Sequence, residues 1–237
     1  MIGRGALLLY RLLAYLAFAT SFTALVLAAT GFGFGLVPAI DRAPTLSPAL
    51  AVFIDTALVL LLAVQHTIMA RAPFKRALTR LLPKRAERST FVLASSFCVA
   101  AIAFAWAPIG PDLWNLHGVP AAILTAVAGA GWLLAGASTF AFDHLELFGL
   151  RDPRGTPSFA VPLLFRLVRH PMMLGMLLGF WSAPHMSAGH ALFAAILTAY
   201  VVAGVRYEER DLLRVFGDEY ARYKATVPSL LPWPRPR

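Results

Sequence analysis

Charge is the scarcest thing in this sequence. Only 14% of its 237 residues are charged, against about 25% in an ordinary soluble domain. With 59% of the chain apolar and a mean hydropathy of +0.69, polar side chains are too few to clothe a soluble core. Cysteine is nearly absent as well. The one cysteine, Cys98, excludes an intramolecular disulfide, and with it a secreted disulfide scaffold. It lies in an apolar run and reads as a small buried hydrophobe. Acidic residues are the rarer sign: 12 Asp and Glu stand against 21 Lys and Arg, a formal net charge of +9. This balance argues against a soluble enzyme and against a disordered tail.

What is present in quantity is long apolar runs. A bilayer-crossing helix needs about 20 mainly apolar residues. Four stretches qualify: Leu12 to Thr30, Leu50 to Ala70, Thr90 to Ile109 and Val119 to Phe142. A fifth region, Met172 to Tyr207, is too long for one span, and Ser182 to Gly189 at its centre is turn chemistry, so it reads as a hairpin of two helices. The first helix of that hairpin is short unless it begins at Leu163, which would place Arg166 and Arg169 inside it. The first run follows Arg4 and Arg11 and ends near Ala28-Ala29-Thr30, as a signal peptide would. It is longer than a signal core and more spans follow, so it reads as a retained helix. The expected fold is all-α: a polytopic membrane bundle of five to six transmembrane helices with a C-terminal amphipathic helix. It is read as a single domain over 1–237, with a four-helix part at 1–142 and a hairpin and tail at 143–237.

Every basic residue except Arg42 falls at the N-terminus, after the second run, after the fourth, or in the tail from Arg206. The positive-inside rule then places both termini in the cytoplasm and favours an even number of crossings. The excess of positive charge reflects orientation and contact with anionic lipid of the bilayer. No part of the chain is left to carry a nucleic-acid-binding fold, so no nucleic-acid partner is expected. Pro73 to Pro83 reads as a short interfacial helix with Phe74, Leu78, Leu81 and Leu82 toward the membrane. Tyr207 to Val227 carries Leu212, Leu213, Phe216, Tyr220, Tyr223 and Val227 near a 3.6-residue period, and reads as an amphipathic helix. Pro228, Pro232, Pro234 and Pro236 stop it. Asp55, inside the second run, suits a pairing with a polar group of another helix, a protonated state, or a place near enough to the interface to stay wet, and a structural role ranks first. Trp106, Trp114 and Trp181 lie near outer helix ends and suit an interfacial belt.

Polar residues at the cytoplasmic helix ends are the candidates for chemistry: Gln65-His66-Thr67, Glu87-Arg88-Ser89-Thr90, Asp143-His144-Leu145-Glu146, Arg169-His170-Pro171 and Arg206-Tyr207-Glu208-Glu209-Arg210-Asp211. Histidines divide evenly between the faces, so the asymmetry rests on acids and arginines. Glu208 and Glu209 point about 100° apart on a helix. They suit either a solvated end stabilised by Arg206, Arg210 and Arg214, or a polar pocket for a cationic or hydroxyl-rich ligand. Pro171 suits a first helical turn, and Gly175 and Gly179 share a face that admits close helix packing. Gly31-Phe32-Gly33-Phe34-Gly35 lies on the outer side and reads as a loop rather than a nucleotide fingerprint. No metal site is read.

Arg169-His170-Pro171-Met172-Met173-Leu174-Gly175, followed by Glu208-Glu209, resembles the membrane methyltransferases that act on isoprenylcysteine and phospholipids. The tail from Phe216-Gly217-Asp218-Glu219-Tyr220 to Val227-Pro228 is similar to theirs too. Met173 departs from their pattern, which often has an aromatic there. The whole chain resembles a narrower group, the nurim-like methanethiol S-methyltransferases. That likeness is carried by Gln65-His66-Thr67, Glu87 to Thr90, His144-Leu145-Glu146-Leu147-Phe148-Gly149-Leu150-Arg151 and Arg206 to Leu212. The resemblance implies methyl transfer from S-adenosylmethionine to methanethiol, a small thiol, giving dimethyl sulfide, in an integral protein of a bacterial inner membrane. It implies a cofactor site built from Arg169, His170, Pro171, Met173, Gly175, Tyr207, Glu208 and Glu209. A thiolate is the attacking species in thiol chemistry. His66 and His144 are therefore candidate bases, and Arg88 and Arg151 candidate cations for the thiolate. Each also suits a structural hydrogen bond at a helix end. Other readings remain beside this one: an isoprenylcysteine or lipid acceptor, a non-enzymatic nurim-like scaffold and, more distantly, a transporter.

Overall fold

The computed structural model describes residues 3–141, 143–153, 155 and 159–232. Phe142, Pro234 and Pro236, named above, lie outside the described residues, as do the basic residues Arg154, Arg235 and Arg237. The chain is mostly helical. In order it forms α1 (Arg4–Thr30), α2 (Pro48–Ala70), α3 (Ala72–Leu81), α4 (Glu87–Ala105), strand β1 (Asp112–Asn115), α5 (Gly118–Phe140), the single turn α6 (His144–Leu147), α7 (Pro171–Trp181), strand β2 (His185–Ser187), α8 (Ala188–Phe216) and α9 (Asp218–Thr226). Short 3-10 turns stand at Lys84–Ala86 and Leu163–Arg166. Among the described residues, five helices are long and apolar enough to cross a membrane: α1, α2, α4 with the turn before it, α5 and α8. The eleven residues of α7 span about 16 Å at 1.5 Å each, half of a bilayer's apolar thickness. Arg166 and Arg169 stay outside it, because Pro171 occupies the first turn and the helix begins there.

Two helix ends differ from the periodicity. The third run was expected to reach Ile109, but α4 stops at Ala105. Pro108 disfavours a helical Ala107, and the N–H of Ala107 instead donates to the Asp55 carboxylate at 2.8 Å. At the other end of the chain the tail is not a separate helix from Tyr207. α8 runs unbroken to Phe216 because nothing between Arg206 and Asp211 breaks a helix, and the turn falls at Gly217, whose φ of 51° suits glycine. α3 matches the expected interfacial helix, with Pro73 in its first turn and Leu81 outward.

The chain divides into two compact units, the first of residues 1–116, 145–153 and 184–193, the second of 117–144, 154–183 and 194–237. In the first, α4 packs on α1 and α2. Phe148 stacks on Phe18 at 4.0 Å and joins Phe91 and Val92 in a buried cluster. β1 and β2 pair antiparallel, Asp112 opposite Ser187 and Asn115 opposite His185, so both strands lie at one end of this unit. Asp41 locks the same end. Its carboxylate accepts from the Ser187 N–H at 2.8 Å and meets His190 Nδ1 at 2.6 Å. Burial raises the Asp41 pKa, but His190 and Ser187 outweigh that and hold it below the ordinary aspartate value. Trp106 is not an interfacial tryptophan: it is fully buried, edge-on to Phe193 at 5.2 Å. Asp55 is also fully buried, and one of its carboxylate oxygens accepts from the backbone N–H of Ala107, just beyond the end of α4.

In the second unit α5 and α7 pack closely through small residues. A Cβ added at Gly175 would stand 2.4 Å from the Gly131 carbonyl oxygen and 2.6 Å from the Ala135 nitrogen. Trp181 is half exposed and donates to Thr198 at 2.9 Å.

Candidate active site

The second unit gathers the Arg-His-Pro and Glu-Glu motifs into one buried polar cluster. Arg169 and His170 lie on the extended segment that enters α7. Their N–H groups have no helical partner there and donate instead to the carbonyls of Pro228, at 2.9 Å, and Ser229, at 3.1 Å. The tail after α9 is thereby tied to the start of α7. The Arg169 guanidinium donates to Glu209 through Nε at 2.9 Å and Nη2 at 2.5 Å. Its Nη1 serves the carbonyls of Lys224, at 3.1 Å, and Val227. Lys224 Nζ reaches the other Glu209 oxygen at 2.9 Å, and the Ser229 hydroxyl donates at 3.4 Å. The side chains of Arg169 and Glu209 are only 3% and 9% exposed. A buried ion pair is tolerated when its remaining polar sites are filled, and here they are.

Helical phase separates the two glutamates. His170 stands between them, Nε2 3.2 Å from Glu209 and Nδ1 3.5 Å from Glu208. Glu209 is saturated with partners, whereas the Glu208 side chain is 52% exposed. The helix-end alternative is therefore altered in its partners. Arg169 and Lys224, not Arg206, Arg210 and Arg214, neutralise Glu209, while Arg214 pairs with Asp211 at 2.9 Å and Arg210 lies over the Tyr207 ring. Tyr207 is half exposed. Pro171 is buried at the helix start, Met173 is partly buried, and Gly175 faces α5 as described. Lys224, Ser229 and Tyr220 were not singled out for the cluster from sequence. Tyr220 stood in the tail's apolar period and in its resemblance, and Lys224 and Ser229 carried no signal of their own.

Of the four candidate catalytic residues, Arg88 and His66 share the Phe91 ring, and Arg151 and His144 have surroundings of their own. In the first unit, Arg88 donates from Nε to the Leu147 carbonyl at 2.7 Å and lies over the Phe91 ring, 5.2 Å from its centroid. His66 meets the same ring edge-on at 4.7 Å, with Nδ1 3.4 Å from the Ser95 hydroxyl. Arg151 lies half-buried in the turn whose N–H groups, from Leu150 and Arg151, converge on the Leu145 carbonyl. Arg11, at the sequence level only a charge near the N-terminus, pairs with Asp152 and donates to the Arg85 carbonyl at 2.9 Å. In the second unit, His144 stacks on Phe140 at 4.1 Å and bonds through Nδ1 to Thr139 at 2.8 Å. Burial holds its pKa below the ordinary histidine value, so at neutral pH it is an uncharged imidazole.

A family model described as NnrU protein matches residues 54–226. The chain belongs to the NnrU protein family. It is 44% identical to methanethiol S-methyltransferase 2 of Bradyrhizobium diazoefficiens, over 98% of this chain and 92% of that one. It is 40% identical to the methanethiol S-methyltransferase of Mycobacterium tuberculosis, over 88% and 91% of the two chains. Nurim of Xenopus laevis is a more distant likeness, 27% identical over 67% and 61%. No solved structure matches the chain.

Proposed function

We propose that this NnrU-family protein is an S-adenosylmethionine-dependent methyltransferase that converts methanethiol to dimethyl sulfide. The observation that carries the reading is near-full-length similarity to relatives named for that reaction. The donor set of the second unit fits the cofactor. An ammonium and ribose hydroxyls need acceptors, and Glu208 is a half-exposed carboxylate beside a buried cationic brace. Arg169, His170, Pro171, Met173, Tyr207, Glu208 and Glu209 form this region, with Gly175 behind it. Bound there, S-adenosylmethionine supplies an electrophilic methyl group on a sulfonium. Glu208 accepts hydrogen bonds from the ligand, His170 fixes Glu208, and Glu209 fixes His170 while its own charge is cancelled by Arg169 and Lys224. His66 and His144 are the proposed acceptors of the thiol proton, and Arg88 and Arg151 favour the thiolate. We place the reaction at the cytoplasmic face of a bacterial inner membrane, with 143–237 as the cofactor-binding part and both termini on that side, which makes α7 and its flanking residues a sixth crossing beside the five long helices.

The test is purified protein with methyl-labelled S-adenosylmethionine and methanethiol, followed by analysis of the headspace. Labelled dimethyl sulfide is expected. A blank headspace from folded protein that binds cofactor overturns the thiol acceptor and points to a lipid or isoprenylcysteine. Glu208→Gln is expected to weaken cofactor binding about tenfold or more, the worth of a hydrogen bond to a charged group. An unchanged affinity removes Glu208 from the site.

The histidines carry a pH prediction. A base works in its uncharged form, and the His144 pKa is depressed below 6.5. Turnover is thus expected to hold to lower pH than an ordinary histidine base would allow, and to fall as pH drops through the depressed value. Whichever of His66 and His144 is the base, its replacement by Gln should erase this acid limb, and replacement of the other should leave it. Full turnover with an unchanged pH profile in both variants would falsify the assignment of either as base.

A further inference from the structure

Tyr220 is 2% exposed, and among the described residues its hydroxyl has no hydrogen-bond partner. A buried polar atom left unpaired is uncommon and calls for a physical account. The ring itself is well held, edge-on to Phe159 at 6.2 Å and to Tyr223 at 5.8 Å. The hydroxyl lies within electrostatic reach of Glu209, Arg169 and Glu208. Burial, with the glutamates' charges, pushes its pKa up to about 12, so the group is a neutral donor at every physiological pH. Tyr223, three residues on, shows what a structural hydroxyl in this helix looks like: it donates to the Phe165 carbonyl at 2.6 Å.

We propose that the Tyr220 hydroxyl is a further ligand-contacting group of the cluster around Arg169, Glu208 and Glu209, and that it donates a hydrogen bond to an acceptor atom of bound S-adenosylmethionine. The proposal rests on the cofactor reading above. The free protein holds the donor unsatisfied, and the ligand satisfies it. Glu208 contributes an acceptor and Tyr220 a donor, so together they read both kinds of polar edge on a molecule that carries both.

This role predicts opposite effects of one substitution on stability and binding. Removing a hydroxyl that has no partner takes away a buried polar group and leaves nothing behind unpaired. Tyr220→Phe is therefore expected to melt at the same temperature as the wild type, or higher, when no ligand is present. Its affinity for S-adenosylmethionine and for S-adenosylhomocysteine, by calorimetry, is expected to fall about fivefold or more, one hydrogen bond's worth. Tyr223→Phe is the control. It removes the hydroxyl that donates to the Phe165 carbonyl and is expected to melt lower.

Wild-type protein that binds neither ligand overturns the cofactor reading and this inference with it. Wild-type protein that binds them, with Tyr220→Phe binding equally well, overturns this inference alone. A Tyr220→Phe variant that is less stable than the wild type without ligand, or that does not fold, also overturns it, because the hydroxyl then has a partner in the free protein.

Discussion

Arg169→Met is expected to destabilise the second unit by about 3–5 kcal/mol, the usual cost of leaving one charge of a buried pair without its partner. The Glu209 carboxylate would keep Lys224 at 2.9 Å, but that ammonium is 40% exposed, so solvent screens it and it replaces only part of what is lost. The carbonyls of Lys224 and Val227 lose their donor at the same time. The tail bonds from Pro228 and Ser229 then stand alone against the entropy of a free terminus. The unfolding midpoint in detergent should drop, and limited proteolysis should cut after α9 in the folded variant. Adding Glu209→Gln should recover part of the loss, since the uncompensated charge is gone; the double variant then costs less than the two singles summed. A loss below about 1 kcal/mol in the single variant would show that Lys224 suffices and that the guanidinium is dispensable.

Hydropathy is a local property, and what depends on local hydropathy was legible. The five long helices lie where the apolar runs lie, and α3 lies where the interfacial pattern placed it. Break positions were less legible because they are settled by contacts distant in the chain. α4 ends where Asp55, fifty-two residues away, takes an N–H from its continuation. α8 passes through a charged stretch that looks like a boundary but contains no residue able to break a helix. Trp106 shows the same limit: its position near a helix end suited the interface, and its burial depends on Phe193.

The cluster of Arg169, His170, Glu208 and Glu209 was legible through resemblance, since residues 39 or 40 apart have no local signal that they meet. Which glutamate turns inward depends on the phase of α8 against His170, and two adjacent identical residues cannot show it. Lys224, Ser229 and Tyr220 enter through the tail's fold-back. Arg169 gives its donors to Glu209 and to the tail's carbonyls, contacts that only the folded tail can show.

Gly175 carries the second large effect. Gly175→Ala is expected to cost about 3 kcal/mol, at the upper end for overpacking a tight contact. The new Cβ would meet the Gly131 oxygen at 2.4 Å and the Ala135 nitrogen at 2.6 Å. Both are backbone atoms of α5, which cannot swing aside as a side chain does, so α5 and α7 must separate. Gly131 has the same problem in reverse, facing the Gly175 carbonyl at 2.7 Å, and Gly179 is covered by the Trp132 ring. Small residues let helix backbones approach where no hydrophobic drive separates helix from lipid, and this contact uses that approach over two turns of α7. Gly129→Ala in α5 is the matched control: its Cβ would meet nothing within 4 Å, and alanine is the better helix former by about 1 kcal/mol, so this variant should be slightly more stable. The pair separates packing from ligand contact. A packing role lowers the Gly175→Ala unfolding midpoint in the absence of cofactor. Loss of cofactor affinity with that midpoint unchanged would instead put Gly175 on the cofactor's surface, as the motif's resemblance implies.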